Sequence, residues 1–447
     1  EKIYIDTKYF PDSFKIKLLN LISEHNNLDE VLDGYLIKSD NYHALKSLLP
    51  KFRERVQLIY IDPPFNTKES GFIYVDRFLD SSWLSMMRDR LDLAKYFLTK
   101  NGSIYLHLDH NANYYGRNLM DDIFGEDNFQ REIVWNTSEV ISGFKSQADN
   151  WIRQHDTILF YGISSNPKFR KLWRLYKEGT EAKNNLGWLD LIGETKDKLY
   201  VERYVKDSDE ENRITKEFVG NYNVMRIGDI WNDILSLIYT QLMTRENWEF
   251  DNQKPENLLR RIIQSSTDPR DFVMDFFAGS GTTVAAAHKL DRRWIGIEMG
   301  AYFEDTMLRR MKTVVFGDLR PFLSRDLNWK GGGFFKYYEF EQYEDVLRTV
   351  KYEDSSFFEN PYEDPYNQYV FMRDLKMLET LKIDYENDKV KVDLAKLYPN
   401  IDIAETLSNL LGKWIKKIAP EYVEFEDGEK INTKELDYKL IKPLIWW

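Results

Sequence analysis

Apolar positions along this chain follow two rhythms. Val56 to Ile61 (VQLIYI) is a continuous apolar run of strand length closed by Asp62-Pro63-Pro64, which predicts a buried parallel strand running into a rigid loop. Ser103 to Leu108, Thr157 to Tyr161, Phe272 to Phe277 and Trp294 to Ile297 have the same character. Between them the spacing turns helical: Trp83, Met86, Met87, Leu91, Ala94 and Leu98 predict a helix over Ser82 to Leu98. Strands alternating with helices predict an α/β fold, a parallel sheet with helices on both faces. Asn166 to Arg226 breaks the rhythm, with Trp173, Trp188, Tyr200 and Tyr204 set among Lys and Arg, and reads as an insertion. After the triplet Gly331-Gly332-Gly333, an aromatic and acidic stretch from Phe334 to Tyr369 and a helical pattern from Ile403 to Ile418 predict an appended α+β domain. The expected division is therefore 1–165 and 227–330 as two halves of one α/β domain, 166–226 as the insert and 331–447 as a C-terminal domain.

Composition narrows the class. The chain of 447 residues is 43% hydrophobic and 15% aromatic, enough for two or three packed units. It has no cysteine, which excludes disulfides, thiolate catalysis and Cys-based zinc sites, and its six histidines are scattered, so no metal is expected. No apolar run approaches the roughly 18–20 residues of a membrane helix, and no basic-then-apolar leader opens the sequence, so a soluble cytoplasmic protein without membrane contact is expected. The net charge of −12 is unevenly spread: residues 331–447 hold 16 Lys or Arg against 24 Asp or Glu, which leaves the upstream part nearly balanced and able to present a phosphate-binding face.

Two motifs carry chemistry. In Asp275-Phe276-Phe277-Ala278-Gly279-Ser280-Gly281-Thr282-Thr283, a strand gives way to a glycine loop and a helix, Thr283 to Leu290; the glycines let backbone approach a ligand. There is no GK[ST] ending, so the loop is no phosphate-cradling P-loop. One strand later Glu298 stands where an acidic side chain takes ribose hydroxyls, which points to a nucleoside ligand; alone, the loop reads equally as a tight turn. In Asp62-Pro63-Pro64-Phe65 the prolines fix the backbone and remove its donors. An exocyclic amine can donate to the Asp62 carboxylate and the Pro63 carbonyl while Phe65 stacks on its ring. Two acceptors draw such an amine toward tetrahedral geometry and free its lone pair to attack a methyl group. Taken alone, the tetrapeptide is more often a turn that closes a buried strand.

The two motifs occur together, at the carboxyl ends of predicted strands where open α/β sheets hold ligands. In this the sequence resembles the amino-group DNA methyltransferases of the β class, and most of all the modification subunits of type III restriction systems. That family places its D-P-P-[YF] before its cofactor motif, with a target-recognition insert between, which is the order of Asp62, the polar insert and Asp275 here. Ser39-Asp40-Asn41, Asn101-Gly102-Ser103 and Gln253-Lys254-Pro255-Glu256-Asn257-Leu258-Leu259 add further matches. Phe276 departs from the proline of many relatives, and Asp251-Asn252 from their Pro-Thr.

The resemblance implies a Rossmann-like sheet that binds S-adenosylmethionine through Asp40, Asn41, Lys254, Asp275, Phe277, Gly279, Ser280, Gly281, Thr282 and Glu298. Within that set, Glu298 takes the ribose hydroxyls, Asp40 the adenine amine and Lys254 the methionine end. Asp62, Pro63, Pro64 and Phe65 would be catalytic, acting on adenine N6 of double-stranded DNA after base flipping, by direct transfer. A homodimer and a helicase-nuclease partner are further implications. Arg153, Lys168, Arg170, Lys171 and Arg174, with Lys177 and the nearby aromatic residues Trp151, Phe169, Trp173 and Tyr176, are the candidate DNA contacts; an ordinary solvated helix face is the competing reading. His155 is read as a core or capping residue. Cytosine N4, RNA adenine and a glutamine amide remain alternative targets, as does a subunit that mainly reads DNA for a partner. The absence of GxxxxGK[ST] predicts no ATP hydrolysis by this chain.

Overall fold

The computed structural model describes residues 5–66, 78–137, 151–175, 190–205, 213–219, 223–234, 236–237, 246, 248, 250, 252–318, 320, 322–340, 381–384, 389–392, 401–434, 436 and 440. Six consecutive buried residues make Val56–Ile61 a strand (β2), as their continuous apolar run predicts. It is joined by β1 (Gly34–Lys38), β3 (Leu98–Leu108), β4 (Phe129–Asn136), β5 (His155–Gly162), β11 (Ile230–Trp231), β12 (Phe272–Asp275), β13 (Arg293–Glu298) and β14 (Phe335–Glu339). These form one nine-stranded sheet in the order β11-β4-β5-β3-β2-β12-β13-β1-β14. The run from β3 through β2, β12 and β13 to β1 is parallel, in register Ile59↔Ile104, Met274↔Ile59, Met274↔Ile295 and Leu36↔Gly296.

Helices cover both faces. On one, α4 (Glu256–Ser266) and α5 (Thr282–Lys289) pack Leu258, Leu259, Ile262, Val284 and Ala287 against Leu58, Tyr105, Val273 and Trp294. On the other lie α1 (Asn41–Phe52) and α3 (Asn113–Phe124). Phe52 of α1 sits edge-on to Tyr35 and Phe272 at 5.2 and 5.6 Å. Gly116 lets α3 close on the sheet, since a Cβ there would lie 2.2 Å from Leu108 Cδ1. The helix predicted over Ser82 to Leu98 is α2 (Asp80–Lys95), and Leu98 already belongs to β3.

The all-parallel expectation is corrected at β5, which runs antiparallel to both β3 and β4. A continuous apolar run reports burial on both faces but not direction. Between β5 and β11 the chain builds a separate five-stranded antiparallel sheet in the order β10-β6-β7-β8-β9. Its strands are β6 (Leu172–Leu175), β7 (Leu191–Ile192), β8 (Tyr200–Val205), β9 (Arg213–Phe218) and β10 (Val224–Arg226). It carries a small core of Leu191, Leu199, Val201 and Val224.

Two compact units emerge: Leu32–Tyr338 with the first five residues, and Glu339–Trp447 with Asp6–Val31. The boundary expected at the glycine triplet therefore falls later. Gly331, Gly332 and Gly333 all take positive φ, and a Cβ on Gly331 would lie 2.5 Å from the Val315 carbonyl oxygen. The triplet thus packs against the end of α6 (Arg309–Phe316) and leads into β14. In the second unit, helices Asp12–Ile22 and Ile403–Leu411 accompany a three-stranded antiparallel sheet of Ile415–Ile418, Tyr422–Phe425 and Lys430–Asn432. The helix expected through Ile418 stops at Leu411, because Gly412 turns left-handed at φ 67° and the β-branched Ile415 and Ile418 enter a strand. Asp29 ties this sheet down by accepting from the Ile415 N–H at 2.7 Å.

Candidate active site

Because β1, β2, β12 and β13 run parallel, the residues at their carboxyl ends surface along one edge. Asp40, Asp62, Asp275 and Glu298 meet there around a cavity of about 450 Å³. Of the expected cofactor residues, Asp40, Asn41, Lys254, Asp275, Phe277, Gly279, Ser280, Thr282 and Glu298 line it, together with Asp62 and Pro64. Gly281, Pro63 and Phe65 lie outside the lining. Gly279 and Gly281 adopt φ of 52° and 77°, the left-handed turn that the glycine pattern demands.

Asp275 is fully buried; its carboxylate accepts from the Phe277 N–H at 3.0 Å and the Thr283 hydroxyl at 2.5 Å. Burial, with Asp62 and Glu298 nearby, pushes this carboxyl up to about 7. Glu298 accepts from the N–H groups of Gly279 and Gly300 and from the Tyr302 hydroxyl at 2.8, 2.8 and 2.9 Å. Burial nevertheless raises it above the usual carboxylate range. Asp40 caps α1 by accepting from the His43 N–H at 3.1 Å, and it also pairs with Arg90 at 3.0 Å. Asn41 donates to the Phe276 carbonyl at 2.8 Å, which pins the glycine loop to α1.

The Asp62 loop is braced on three sides. Trp83 Nε1 donates to the Pro64 carbonyl at 2.8 Å, while Asn66, at φ 59°, accepts from the Phe78 N–H and donates to Asp80. Lys254 does not point only along the cavity: its ammonium meets Asp62 Oδ2 at 2.5 Å and lies 5.3 Å from the Phe65 ring centroid. Asp62 lines the cavity, and its Oδ1 is buried without a hydrogen-bond partner among the described residues.

Several residues that sequence reasoning missed hold this geometry. Arg90, Phe250 and Tyr302 line the cavity, and none carries a local sequence signal. Beneath the glycine loop, Arg310 donates to Thr282 Oγ1 at 2.9 Å and Ser280 Oγ at 3.3 Å, so these two hydroxyls are committed to the protein. Glu256 receives Arg310 at 2.9 Å and Lys289 at 2.7 Å. All three charged groups are buried, an arrangement tolerable only because each is paired. Behind Phe65, the Tyr60 hydroxyl meets His107 Nδ1 at 2.8 Å and His107 Nε2 meets Asp156 at 3.3 Å. Burial works to raise Asp156, yet His107, Lys254 and Arg153 hold it well below the usual carboxylate range.

The candidate DNA contacts behave differently. Arg153 pairs with Asp109 and Asp156 at 2.9 and 2.6 Å, Lys168 with Asp268 and Asp271, Arg170 with Asp268 and Glu202, Lys171 with Glu194 at 2.8 Å, and Arg174 with Asp233 at 3.6 Å. Each cation is matched by a carboxylate of the chain itself, so the segment is no unpaired basic stripe. Nor is its start a helix face, since Leu172–Leu175 is strand β6. Arg170 and Arg292 converge on buried Glu202 and tie β8 of the inserted sheet to the start of β13. His155 opens β5 exposed to solvent rather than in the core. Tyr176, Lys177 and Trp188 lie outside the described residues. Among the described residues, no His/Asp/Glu group could hold a metal ion, and no helix is long and apolar enough to cross a membrane.

Residues 56–309, from β2 into α6, match the family described as DNA methylase (N6_N4_Mtase). The chain belongs to that family. Among curated proteins, the chain is similar to the probable type III restriction-modification enzyme HindVI Mod subunit of Haemophilus influenzae, 28% identical over 78% of this chain and 60% of that protein. It is 27% identical to the type III StyLTI Mod subunit of Salmonella typhimurium over 60% of this chain and 52% of that one. The type II methyltransferase M.EcaI of Enterobacter cloacae is 27% identical over 63% of this chain and 70% of its own length. The chain thus spans 60% and 52% of the two Mod subunits. Solved structures similar to it include an M1.HpyAVI-SAM complex, at 17% identity and TM-score 0.38 over 62% of this chain and 98% of that one. Another is the cytosine-N4-specific PvuII DNA methyltransferase, at 16% identity and TM-score 0.40 over 67% and 92%.

Proposed function

We propose that this methylase transfers the methyl group of S-adenosylmethionine to N6 of an adenine flipped out of duplex DNA, as the modification and specificity subunit of a restriction-modification system. The observation that carries the reading is Asp62, which lines a cavity whose other walls suit a nucleoside and whose Oδ1 has no partner among the described residues. The cavity's size falls within the roughly 300–1,000 Å³ of small-ligand sites. Tyr302 and Phe250 pack edge to face at 4.9 Å, offering apolar walls for an adenine ring, and Glu298 and Asp40 keep lone pairs for ribose hydroxyls and an exocyclic amine. Bound S-adenosylmethionine supplies a methyl group activated by its sulfonium.

The chain's own residues do the rest. Lys254 occupies Asp62 Oδ2, which aims Oδ1 at the incoming amine, and the Pro63 carbonyl offers the second acceptor. Phe65 stacks on the base and offsets part of the few kcal/mol that flipping costs. With the cofactor bound, the amine lone pair would form the new N–C bond as the S–C bond breaks and the thioether leaves, and Asp62 would receive the surplus proton. An aspartate in first place favours adenine by resemblance, because cytosine-N4 enzymes of this kind typically carry serine there. Trp151, 98% exposed, and Arg153 stand at the same edge of the sheet, where a duplex would lie. A homodimer and a helicase-nuclease partner belong to the same proposal, on the strength of the similarity to Mod subunits. The test is to incubate the chain with S-adenosylmethionine and mixed-sequence duplex DNA and quantify modified nucleosides by mass spectrometry, with Asp62→Ala in parallel. N6-methyladenine that vanishes in the variant is expected; N4-methylcytosine would overturn the base assignment, and no modified base with intact cofactor binding would overturn the reading.

A further inference from the structure

His107 is fully buried in β3, yet neither of its nitrogens is idle. Nδ1 meets the Tyr60 hydroxyl at 2.8 Å and Nε2 meets Asp156 Oδ2 at 3.3 Å. Asp156 is held in turn by Arg153 at 2.6 Å, and Arg153 by Asp109 at 2.9 Å. Asp156, an acceptor, draws the imidazole proton to Nε2, and Nδ1 is left to accept from Tyr60. Tyr60 then donates to His107 and His107 to Asp156, while Arg153 donates to both Asp156 and Asp109. The imidazole is also walled by rings: Phe65 lies 5.9 Å away at 30°, and Trp135 stands edge-on at 5.4 Å. Tyr60 is the second residue before Asp62 on β2 and lines the cavity itself.

A buried imidazole with two committed nitrogens is an expensive way to fill space behind an aromatic ring, where a leucine would pack without desolvating polar groups. We propose that His107 is a positioning residue for methyl transfer: oriented by Asp156, it holds the Tyr60 hydroxyl and forms the floor on which Phe65, and hence the flipped base, is set. It is not among the residues that line the cavity. Its effect is geometric, since Phe65 and Asp62 sit on one short loop after β2, and an imidazole that rotates lets both drift relative to the methyl donor. Misplacement of an ångström at a reacting centre costs on the order of 100-fold in rate.

This inference rests on the proposed methyl transfer, and the experiment separates the two. Single-turnover methylation of duplex DNA by the full chain is compared for wild type, Asp156→Asn, Tyr60→Phe and the double variant, alongside cofactor affinity and thermal melting of each. Asp156→Asn keeps the shape but offers Nε2 a donor, reversing the tautomer. Each single variant is expected to lose at least 10-fold in the single-turnover rate with cofactor affinity within about twofold of wild type, and the double variant to be no slower than the worse single one, because both break the same chain. Restoring the carboxylate with Asp156→Glu should recover part of the rate. Rates that stay at the wild-type level, or that fall only in step with melting temperature and cofactor affinity, overturn the positioning role. A wild type that binds cofactor but methylates no DNA overturns the proposed function, and this inference with it.

Discussion

Asp275 should make the cofactor-free protein less stable at neutral pH than it would be without that charge. The side chain is 2% exposed and, among the described residues, receives two hydrogen bonds, from the Phe277 N–H and the Thr283 hydroxyl, while Asp62 and Glu298 add like charge. Its carboxyl therefore stands at about 7, against 3.8 for the free side chain. A carboxyl raised in the folded state contributes stability that is complete below the unfolded value and is lost as pH climbs through the folded one. At roughly 1.4 kcal/mol per tenfold change, the full loss is about 4 kcal/mol, of which about 2 kcal/mol falls between pH 5.5 and 8. Asp275→Asn cannot ionise and keeps one acceptor for the two donors. Urea denaturation of the two proteins across that pH range, without cofactor, should show the variant gaining about 2 kcal/mol relative to wild type as pH rises, while its affinity for S-adenosylmethionine falls. A stability gap that stays constant from pH 5.5 to 8 would refute the reasoning, because the carboxylate would then be equally well accommodated in both states.

Other consequences can be measured as directly. Arg310→Met should strip Glu256 of a partner, cost about 3–5 kcal/mol in denaturant titration and weaken cofactor binding by freeing Ser280 and Thr282. Phe65→Ala should lose about 1–3 kcal/mol of base stacking, read as a rise in KM for DNA and a changed 2-aminopurine signal at the target position, whereas Phe65→Trp should keep most of it. Lys168→Ala and Arg170→Ala should lower the melting temperature yet leave the salt slope of DNA binding unchanged, because their charges already face Asp268, Asp271 and Glu202. A slope reduced by about one per cation removed would return these residues to the DNA interface.

What could be read in the sequence was whatever a few adjacent residues impose. The prolines after Asp62 and the positive-φ glycines at 279 and 281 specify their backbones locally, and parallel strands then bring both loops to one edge. The partners of His107, Arg310 and Arg90 were not legible, since each finds its acceptor across a register that no local pattern encodes: His107 on β3 with Asp156 on β5, Arg310 on α6 with Glu256 on α4. The same limit hid the partners of Lys168 to Arg174. A basic and aromatic segment reads as a phosphate grip, and its pairing with Asp268 and Glu202 across the fold has no local signal. Strand direction was equally hidden, which is why β5 reads like its parallel neighbours.

The place of β12 between β2 and β13 governs how the molecule comes into being as well as what it holds. At about 5–20 residues per second, the roughly 200 residues that separate β2 from its partner take on the order of 10–40 s to synthesise. Until then β2 presents an apolar edge with its backbone groups unpaired, while the inserted antiparallel sheet, whose pairings are local, can already form. The cleft thus cannot assemble before β12 is made, and lesions in β12 should appear first as poor yield and aggregation during expression, before any defect of a purified protein can be measured.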